Sequence, residues 1–334
     1  MTGWDPQQPP EPPDRAGTPT PSDPSAPTDT GVYRCYRHPD QVTRIRCARC
    51  GRPICPNCMI PAPVGHQCPE CVGQARREFR TGARRGARTI AGISATKFLL
   101  LAIGAVFVLE VIVSNGQALS FGGGLPNKDA YNLGALFPPA VAGLPVHIPP
   151  LGGPWAHTQY WRLFTAMFLH ANLLHIAFNG WALWLFGNFI EATFGSVRML
   201  VIYFVTGLFA SATSYTFGPV AQLGVGASGA IVGLLGAFIA YNFRRRHLAA
   251  AQGYLRWALM LIVLNAVLGA TVGGIDNWAH GGGLVAGLAA GLFAEGLGSG
   301  QLRRVSRVAG PLLILAVAVV MVITRTNHLQ SLVS

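Results

Sequence analysis

The chain has little charge for its length. Only 11% of its 334 residues are Asp, Glu, Lys or Arg, and 51% are hydrophobic, whereas roughly a quarter of a soluble domain is charged. This deficit excludes an ordinary soluble enzyme and indicates that a lipid bilayer covers much of the surface. A basic stretch followed by an apolar core is also missing near residue 1, so we expect no cleavable signal peptide. The first membrane helix is expected to act as the insertion signal.

Acidic residues are scarce. The chain has 13 Asp and Glu against 25 Lys and Arg, a net charge of +12, but the arginine clusters flank apolar segments and do not form a separate basic domain. We therefore expect a bilayer, and no nucleic acid, as the partner of these charges. Arginines before alternate apolar stretches predict a multi-pass protein of the cell membrane with a cytoplasmic N-terminus and an outer C-terminus.

Seven apolar stretches approach the roughly 20 residues that span a hydrocarbon core. They lie at about 98–114, 168–189, 197–217, 225–243, 254–272, 279–295 and 309–324. The predicted fold is therefore an all-α polytopic membrane protein with a six-helix core and a seventh C-terminal helix. The predicted organisation is a disordered Pro-rich tail, a cysteine-rich module, a basic juxtamembrane linker, the core, and the seventh helix with a short tail, at 1–32, 33–73, 74–97, 98–295 and 296–334.

Cysteine is absent outside residues 35–71, which excludes a disulfide framework across the chain. Its CxxC spacing is typical of zinc knuckles, so two structural Zn²⁺ ions are predicted over free thiols. The eight predicted ligands are Cys35, His38, Cys47, Cys50, Cys55, Cys58, Cys68 and Cys71. One arrangement is cross-braced, with the first and third pairs on one ion and the second and fourth on the other. His66 is a spare candidate ligand, although a surface histidine is the simpler interpretation.

Four polar residues inside the apolar stretches are functional candidates because polar groups are expensive in a bilayer. His175 and Asn179 are four residues apart and share a helix face, while Ser228 and His280 begin later stretches. Each alone is explained by interhelical hydrogen bonding or close packing, and Ala230 departs from the GxSxG elbow of soluble hydrolases. The up-and-down topology, however, brings Ser228 and His280 to the same outer level, as a nucleophile and base require.

The motifs HANLLHIAFN, GASG and AHGGGLVAGLAAG, with YWRLF before the second stretch and EATFGS after it, resemble those of rhomboid intramembrane serine proteases. The resemblance covers about 98–295. It implies that Ser228 attacks a peptide carbonyl, that His280 is the general base, and that Asn179, His175 and the Ser228 backbone N–H hold the oxyanion. It also implies membrane-protein substrates with weakly helical transmembrane segments, and no cofactor for catalysis.

Further residues match the family motifs in supporting roles. The resemblance implies that His170 organises polar contacts, that Trp161 and Arg162 are structural, and that Gly226 is the glycine of the serine signature. Val232 departs from the pattern, because many bacterial relatives carry a tyrosine there beneath the histidine. The cysteine-rich module resembles B-box zinc fingers, which implies a cytoplasmic protein partner.

Three alternatives remain at the level of sequence. The alternatives to a protease are a catalytically inactive rhomboid-like protein that binds membrane clients, a small-solute transporter or channel, and a membrane-tethered zinc-finger adaptor. The intact Ser228 and His280 argue against the first, and the absence of a convincing internal repeat argues against the second. A protease without residues 1–73 should still cleave a model substrate, whereas an adaptor should lose its activity.

Overall fold

The structure is a computed structural model that describes residues 32–62, 65–74, 94–121, 134–147 and 153–334. The chain divides into two compact units, Met1–Arg80 and Thr81–Ser334. Nearly all of the predicted disordered tail and most of the predicted basic linker lie outside the described residues.

The first unit is built from two small antiparallel hairpins. β1 (Tyr33–Arg34) pairs with β2 (Val42–Thr43), β3 (Ile60–Pro61) pairs with β4 (His66–Gln67), and residues 69–74 are helical. Among the described residues of this unit, the fully buried apolar side chains are those of the cysteines and of Ile54. A core this small gives little hydrophobic stabilisation, so the fold depends on what the cysteines hold together.

The second unit contains seven long helices in the part of the chain that the structure describes. They are α1 (Ala95–Val113), α2 (Leu173–Phe194), α3 (Ser196–Phe217), α4 (Ser228–Phe243), α5 (Ala249–Thr271), α6 (Asn277–Glu295) and α7 (Gly300–Ser331). Each corresponds to one predicted apolar stretch. The chain is therefore an all-α polytopic membrane protein, as the sequence predicts.

Five of these helices are long and apolar enough to cross a membrane, within the described residues: α1, α2, α3, α5 and α7. α4 is apolar but has only 16 residues, and α6, a glycine-rich helix of 19 residues, is not among the five. α3 is the most buried of the five and α5 the least. α4 and α6 pack in the interior beside α3, whereas α5 lies at the edge.

Several helix boundaries differ from those predicted, and three of them have a clear local cause or consequence. α2 begins at Leu173 and not near 168, because the Asn172 side chain accepts a hydrogen bond from the His175 N–H at 2.9 Å and caps the helix there. α4 begins at Ser228, after Gly226 with a φ of 123°. α7 is longer than predicted and begins at Gly300, so the arginines at 303, 304 and 307 lie within its first turns and not in a preceding loop.

Small residues let α4 and α6 approach closely, as the four-residue spacing of Gly283, Gly287 and Gly291 predicts. A Cβ on Gly283 or Gly287 would overlap the carbonyl oxygen of Gly229 or Gly233 on α4. Only glycine fits at such positions, and the backbones are held in direct contact.

A buried carboxylate joins the first two helices at one end of the unit. Glu191, near the end of α2, accepts hydrogen bonds from the backbone N–H groups of Ala95 and Thr96 at 2.7 and 2.9 Å. It also accepts from the hydroxyls of Thr96 and Ser196 at 2.7 and 2.6 Å. Glu191 therefore caps the N-terminus of α1 and fixes the turn between α2 and α3.

The connection between α1 and α2 is folded onto the helices. It contains short helices at Pro138–Ala142 and Arg162–Thr165. Leu136 and Gly224 exchange backbone hydrogen bonds of 2.8 and 2.9 Å. This bridge ties the connection to the loop just before Ser228.

The seventh helix packs against α3. The hydroxyls of Tyr215 and Thr326 are hydrogen-bonded at 2.8 Å, and the Gln330 amide donates to the Ala142 carbonyl at 2.8 Å. α7 is thus attached both to the helical core and to the connection before α2.

Candidate active site and metal clusters

The hydroxyl of Ser228 and the imidazole of His280 are in direct contact. Ser228 is the first residue of α4 and His280 lies in the first turn of α6, and their Oγ and Nε2 atoms are 2.8 Å apart. Both side chains are half-buried, so the pair is held by the fold while remaining accessible. The structure therefore brings together the two residues that the topology argument selects.

Asp276 fixes the start of the helix that carries His280. Its carboxylate accepts from the Ala279 N–H at 2.9 Å and also accepts from the hydroxyl of Ser214 on α3. The residue is the N-cap of α6, so it fixes the start of the helix turn that carries His280.

The other ring nitrogen of His280 faces an amide that the sequence analysis did not select. Nδ1 lies 3.0 Å from Oδ1 of Asn265 on α5. An amide oxygen only accepts hydrogen bonds, so this contact places the proton on Nδ1 and leaves the Nε2 lone pair facing Ser228. The polar residue within the apolar run LIVLNAVLG is a signal that could have identified Asn265. Val232 lies one turn after Ser228 on α4 and is half-buried.

His175 presents an N–H beside the serine loop. Its Nδ1 accepts from the Ala171 backbone N–H at 3.2 Å, which places the imidazole proton on Nε2. The Nε2 and Cε1 edge of the ring lies beside Gly226, where a Cβ would be 2.8 Å from either atom. Glycine is therefore required at position 226 for two reasons: its φ is 123°, and His175 approaches too closely for a side chain.

Asn179 lies one helical turn further along α2 and is buried. Its amide nitrogen donates to the His175 carbonyl at 2.8 Å, and a second N–H remains on the same atom for another acceptor. His175 and Asn179 share a helix face, as their spacing predicts.

The remaining predicted supporting residues surround this group. His170 is fully buried, its Nδ1 donates to the Phe168 carbonyl at 3.1 Å, and its ring lies edge-on to that of His175 with 5.2 Å between centroids. Its backbone N–H donates to Glu110 on α1, 3.1 Å from each carboxylate oxygen. Glu110 was missed by the sequence analysis, although a carboxylate in the run FVLEVIV is itself a signal.

Arg162 is buried in the connection before α2. Its Nη1 donates to the Ala135 carbonyl at 3.0 Å and its Nε to Gln159 Oε1 at 2.6 Å. The guanidinium lies 4.9 Å from the ring centroid of the exposed Trp161. These contacts fold the connection and do not reach the Ser228 hydroxyl, in keeping with a structural role.

Two clusters of potential metal ligands form in the first unit, and they correspond to the cross-braced arrangement. Ligand atoms within 4.8 Å of one another belong to Cys35, His38, Cys55 and Cys58 in one cluster and to Cys47, Cys50, Cys68 and Cys71 in the other. His66 lies in β4 and belongs to neither cluster of the described residues.

The geometry of both clusters suits a tetrahedral ion. Ligands about 2.3 Å from one zinc ion would be about 3.8 Å apart, and Cys50 Sγ and Cys68 Sγ are separated by 3.8 Å. His38 Nδ1 lies 3.3 Å from the sulfurs of both Cys55 and Cys58. Burial and the neighbouring Cys35 and Cys55 sulfurs raise the pKa of Cys58 to about 11, so metal binding would have to displace its proton.

The second unit is thus a helical membrane protein with a serine and a histidine hydrogen-bonded between two helix N-termini. Residues 157–295 match the model of the Rhomboid domain. The chain is 39% identical over 134 residues to the rhomboid protease GluP of Bacillus subtilis (strain 168) and 31% identical over 132 residues to the putative rhomboid protease YdcA of the same organism. It is 31% identical over 151 residues to the rhomboid protease AarA of Providencia stuartii.

Each of these alignments covers about 40% of this chain. The aligned part is 25% of GluP, 66% of YdcA and 54% of AarA. Together, the domain match and these relatives support the rhomboid family for the chain. The matched residues include the whole of α2 to α6 and exclude the cysteine-rich unit, α1 and α7, so the match begins later than the predicted resemblance over about 98–295.

Proposed function

We propose that this protein is an intramembrane serine endopeptidase that cleaves peptide bonds in or near transmembrane helices of other proteins. The observation that carries the proposal is the 2.8 Å contact between Ser228 Oγ and His280 Nε2. The Nδ1 proton that Asn265 accepts leaves Nε2 able to receive the hydroxyl proton, which is the state that a general base needs. The named rhomboid proteases among the relatives support the same reaction class.

In the proposed reaction, Ser228 Oγ attacks the substrate carbonyl carbon while its proton moves to His280 Nε2. The tetrahedral oxyanion accepts hydrogen bonds from His175 Nε2–H, the free N–H of Asn179 and the Ser228 backbone N–H. His280 then gives its proton to the leaving amine, the C–N bond breaks, and an acyl-enzyme remains. A water molecule then attacks the acyl carbon while its proton moves to His280. His280 returns this proton to Ser228 Oγ as the ester C–O bond breaks, which releases the second product as a carboxylic acid and restores the serine.

The bilayer determines which substrates this site would accept. A peptide bond in a stable transmembrane helix is hydrogen-bonded and shielded from water. We therefore propose single-span substrates whose helices carry Gly or other helix-destabilising residues near the outer face of the cell membrane. Replacing such residues with Leu should slow cleavage of that substrate, and an unchanged cleavage rate would contradict the unwinding argument.

The cysteine-rich unit is proposed to bind two structural zinc ions and a cytoplasmic protein partner. Its two donor sets would each fill all four positions of a tetrahedral ion, so zinc would stabilise the fold and leave no open position for a substrate. Under the proposed orientation this unit lies in the cytoplasm, and the C-terminus of α7 lies outside.

Fluorophosphonate labelling tests the proposed reaction without knowledge of a substrate. The full chain, purified in detergent or liposomes, should be labelled, and Ser228→Ala and His280→Ala should abolish the signal. Ser120→Ala, a serine remote from the pair in sequence, is a control that should keep it. Absence of labelling in folded wild type, in a preparation where the fluorophosphonate can reach the serine, would contradict the proposal and favour a non-catalytic protein that binds membrane clients.

A further inference from the structure

Three polar side chains from three different helices form a chain of hydrogen-bond contacts at the site. Ser228 on α4 contacts Nε2 of His280 on α6 at 2.8 Å, and Nδ1 of the same ring contacts Asn265 on α5 at 3.0 Å. We infer that Asn265 is a positioning residue that fixes the tautomer and ring orientation of His280, so that the site operates as Ser–His–Asn. This inference rests on the proposed function of the Ser228–His280 pair.

The sequence explains why His280 needs such a partner. Val232 has no aromatic ring on which the imidazole could pack. The support that the family resemblance would place beneath His280 is therefore missing. An imidazole held only by the serine hydroxyl would still rotate about its side-chain bonds. A second hydrogen bond at Nδ1, on the opposite side of the ring, removes that freedom and excludes the tautomer that carries its proton on Nε2.

An amide suits this position better than a carboxylate would. Removing a charge from water is expensive, whereas a neutral amide costs far less within a membrane helix. The Asn265 carbonyl dipole still stabilises the positive charge that His280 acquires when it takes the serine proton. Asparagine therefore supplies orientation and moderate electrostatic support together.

The surroundings of Asn265 argue against a purely structural role. Its neighbours Leu264 and Val267 are about half exposed, at 50% and 52%, and α5 is the least buried of the five spanning candidates. Asn265 is half-buried on this lipid-facing helix. A polar residue is unfavourable there unless it is hydrogen-bonded. The hydrogen-bond partner of Asn265 is His280, the proposed catalytic base.

The chain offers a matched control for the structural alternative. One turn further along, the Asn277 amide of α6 donates to the Gly269 carbonyl of α5 at 2.8 Å. This contact joins the same two helices but does not touch His280. If Asn265 served only to hold α5 against α6, loss of either contact would have the same effect.

The experiment measures the second-order rate of fluorophosphonate labelling as a function of pH, in wild type, Asn265→Leu, Asn265→Asp and Asn277→Ala. The fraction of folded protein is measured by size-exclusion chromatography, and each rate is normalised to it. Leucine matches asparagine in size but cannot accept a hydrogen bond. We expect Asn265→Leu to label about 10- to 100-fold more slowly, as loss of a hydrogen bond to a developing charge implies. We expect Asn277→Ala to stay within about threefold of wild type.

Asn265→Asp separates positioning from structure. The carboxylate accepts the same hydrogen bond and favours the protonated ring, so labelling should persist at alkaline pH while the acid limb of the profile moves up by about one pH unit. Two other titratable groups face the pair, His175 from α2 and Asp276 at the start of α6, and both are unchanged in every variant. A shift confined to Asn265→Asp is therefore assigned to His280 paired with the introduced carboxylate.

The outcomes are distinguishable from failure of the proposed function. If wild type is not labelled, the serine protease proposal fails and this inference fails with it. If wild type is labelled but Asn265→Leu labels equally fast, only the role of Asn265 is overturned. Equal losses in Asn265→Leu and Asn277→Ala, or an Asn265→Asp profile without a shift, would also overturn it, because either result describes a contact that merely joins two helices.

Discussion

Substitution of Gly287 by alanine tests whether the backbone contact between α4 and α6 holds the site together. The added methyl group would overlap the carbonyl oxygen of Gly233 and lie 2.8 Å from its Cα atom, whereas ordinary contact begins at 3.4 Å. Backbone cannot rotate away as a side chain can, so the helices must separate locally by more than about 1 Å. Overpacking of this kind costs about 1–3 kcal/mol.

Gly281→Ala is the matched control on the same helix, because a Cβ there meets no atom within 4 Å. Both substitutions gain about 0.5–1 kcal/mol of helix propensity, so the difference between them isolates the packing cost. We expect Gly287→Ala to unfold at lower denaturant concentration in detergent and to be less stable than Gly281→Ala by about 1–3 kcal/mol.

The same separation should reach the Ser228–His280 pair, since displacements of about 1 Å can lower a rate by up to about a hundredfold. Fluorophosphonate labelling of the two variants measures this effect. Equal stability and equal labelling of both variants would refute the argument that glycine-mediated contact positions the pair.

The remaining predictions concern the contacts away from the pair. Glu191→Gln should destabilise the helical unit by about 1–3 kcal/mol, because an amide cannot accept from every donor around it; unfolding in detergent measures this, and wild-type stability would contradict the cap. Tyr215→Phe should cost about 1 kcal/mol through loss of its bond to Thr326, and the loss should vanish in a Thr326→Val background. Chelation of the full chain should release two zinc ions, measured by elemental analysis, and expose residues 33–73 to protease without changing the unfolding of the helices; release of none would refute the zinc clusters.

Hydrophobicity alone predicts the seven helices, but their ends depend on local contacts that it does not report. α2 begins five residues later than predicted because one side chain, Asn172, caps it, and α4 begins after a backbone conformation at Gly226 that favours glycine. The last helix includes the arginines predicted to precede it. Long basic side chains are compatible with a helix at the edge of a membrane, because they can reach the aqueous surface. These are interactions of one or two residues, and an average over twenty hides them.

The site shows the same division. Ser228 and His280 are predictable because both stand at helix starts, and alternation of the chain direction places those starts on one side. Asn265 is not predictable in that way, since it lies in the middle of an apolar run on the fifth helix. Its contact with His280 depends on how α5 is rotated about its own axis. The sequence of α5 is only weakly amphipathic and does not determine this rotation. The cysteine spacing likewise predicts four pairs, whereas only the folded hairpins show which pairs come together.

The length of α4 bears on the depth at which the proposed nucleophile would lie in a bilayer. Sixteen residues rise about 24 Å in a helix, which is about 6 Å less than the hydrocarbon core of a bilayer. With Arg244, Arg245 and Arg246 at one membrane surface, as the proposed orientation requires, Ser228 at the other end of α4 would lie below the opposite surface. The loop before it, with Asp276 and Ala279, lines a cavity beside Ser228, and the proposed reaction requires water to reach the serine there. A longer α4 would raise the serine to the surface and away from the helices that the proposed enzyme is expected to cleave.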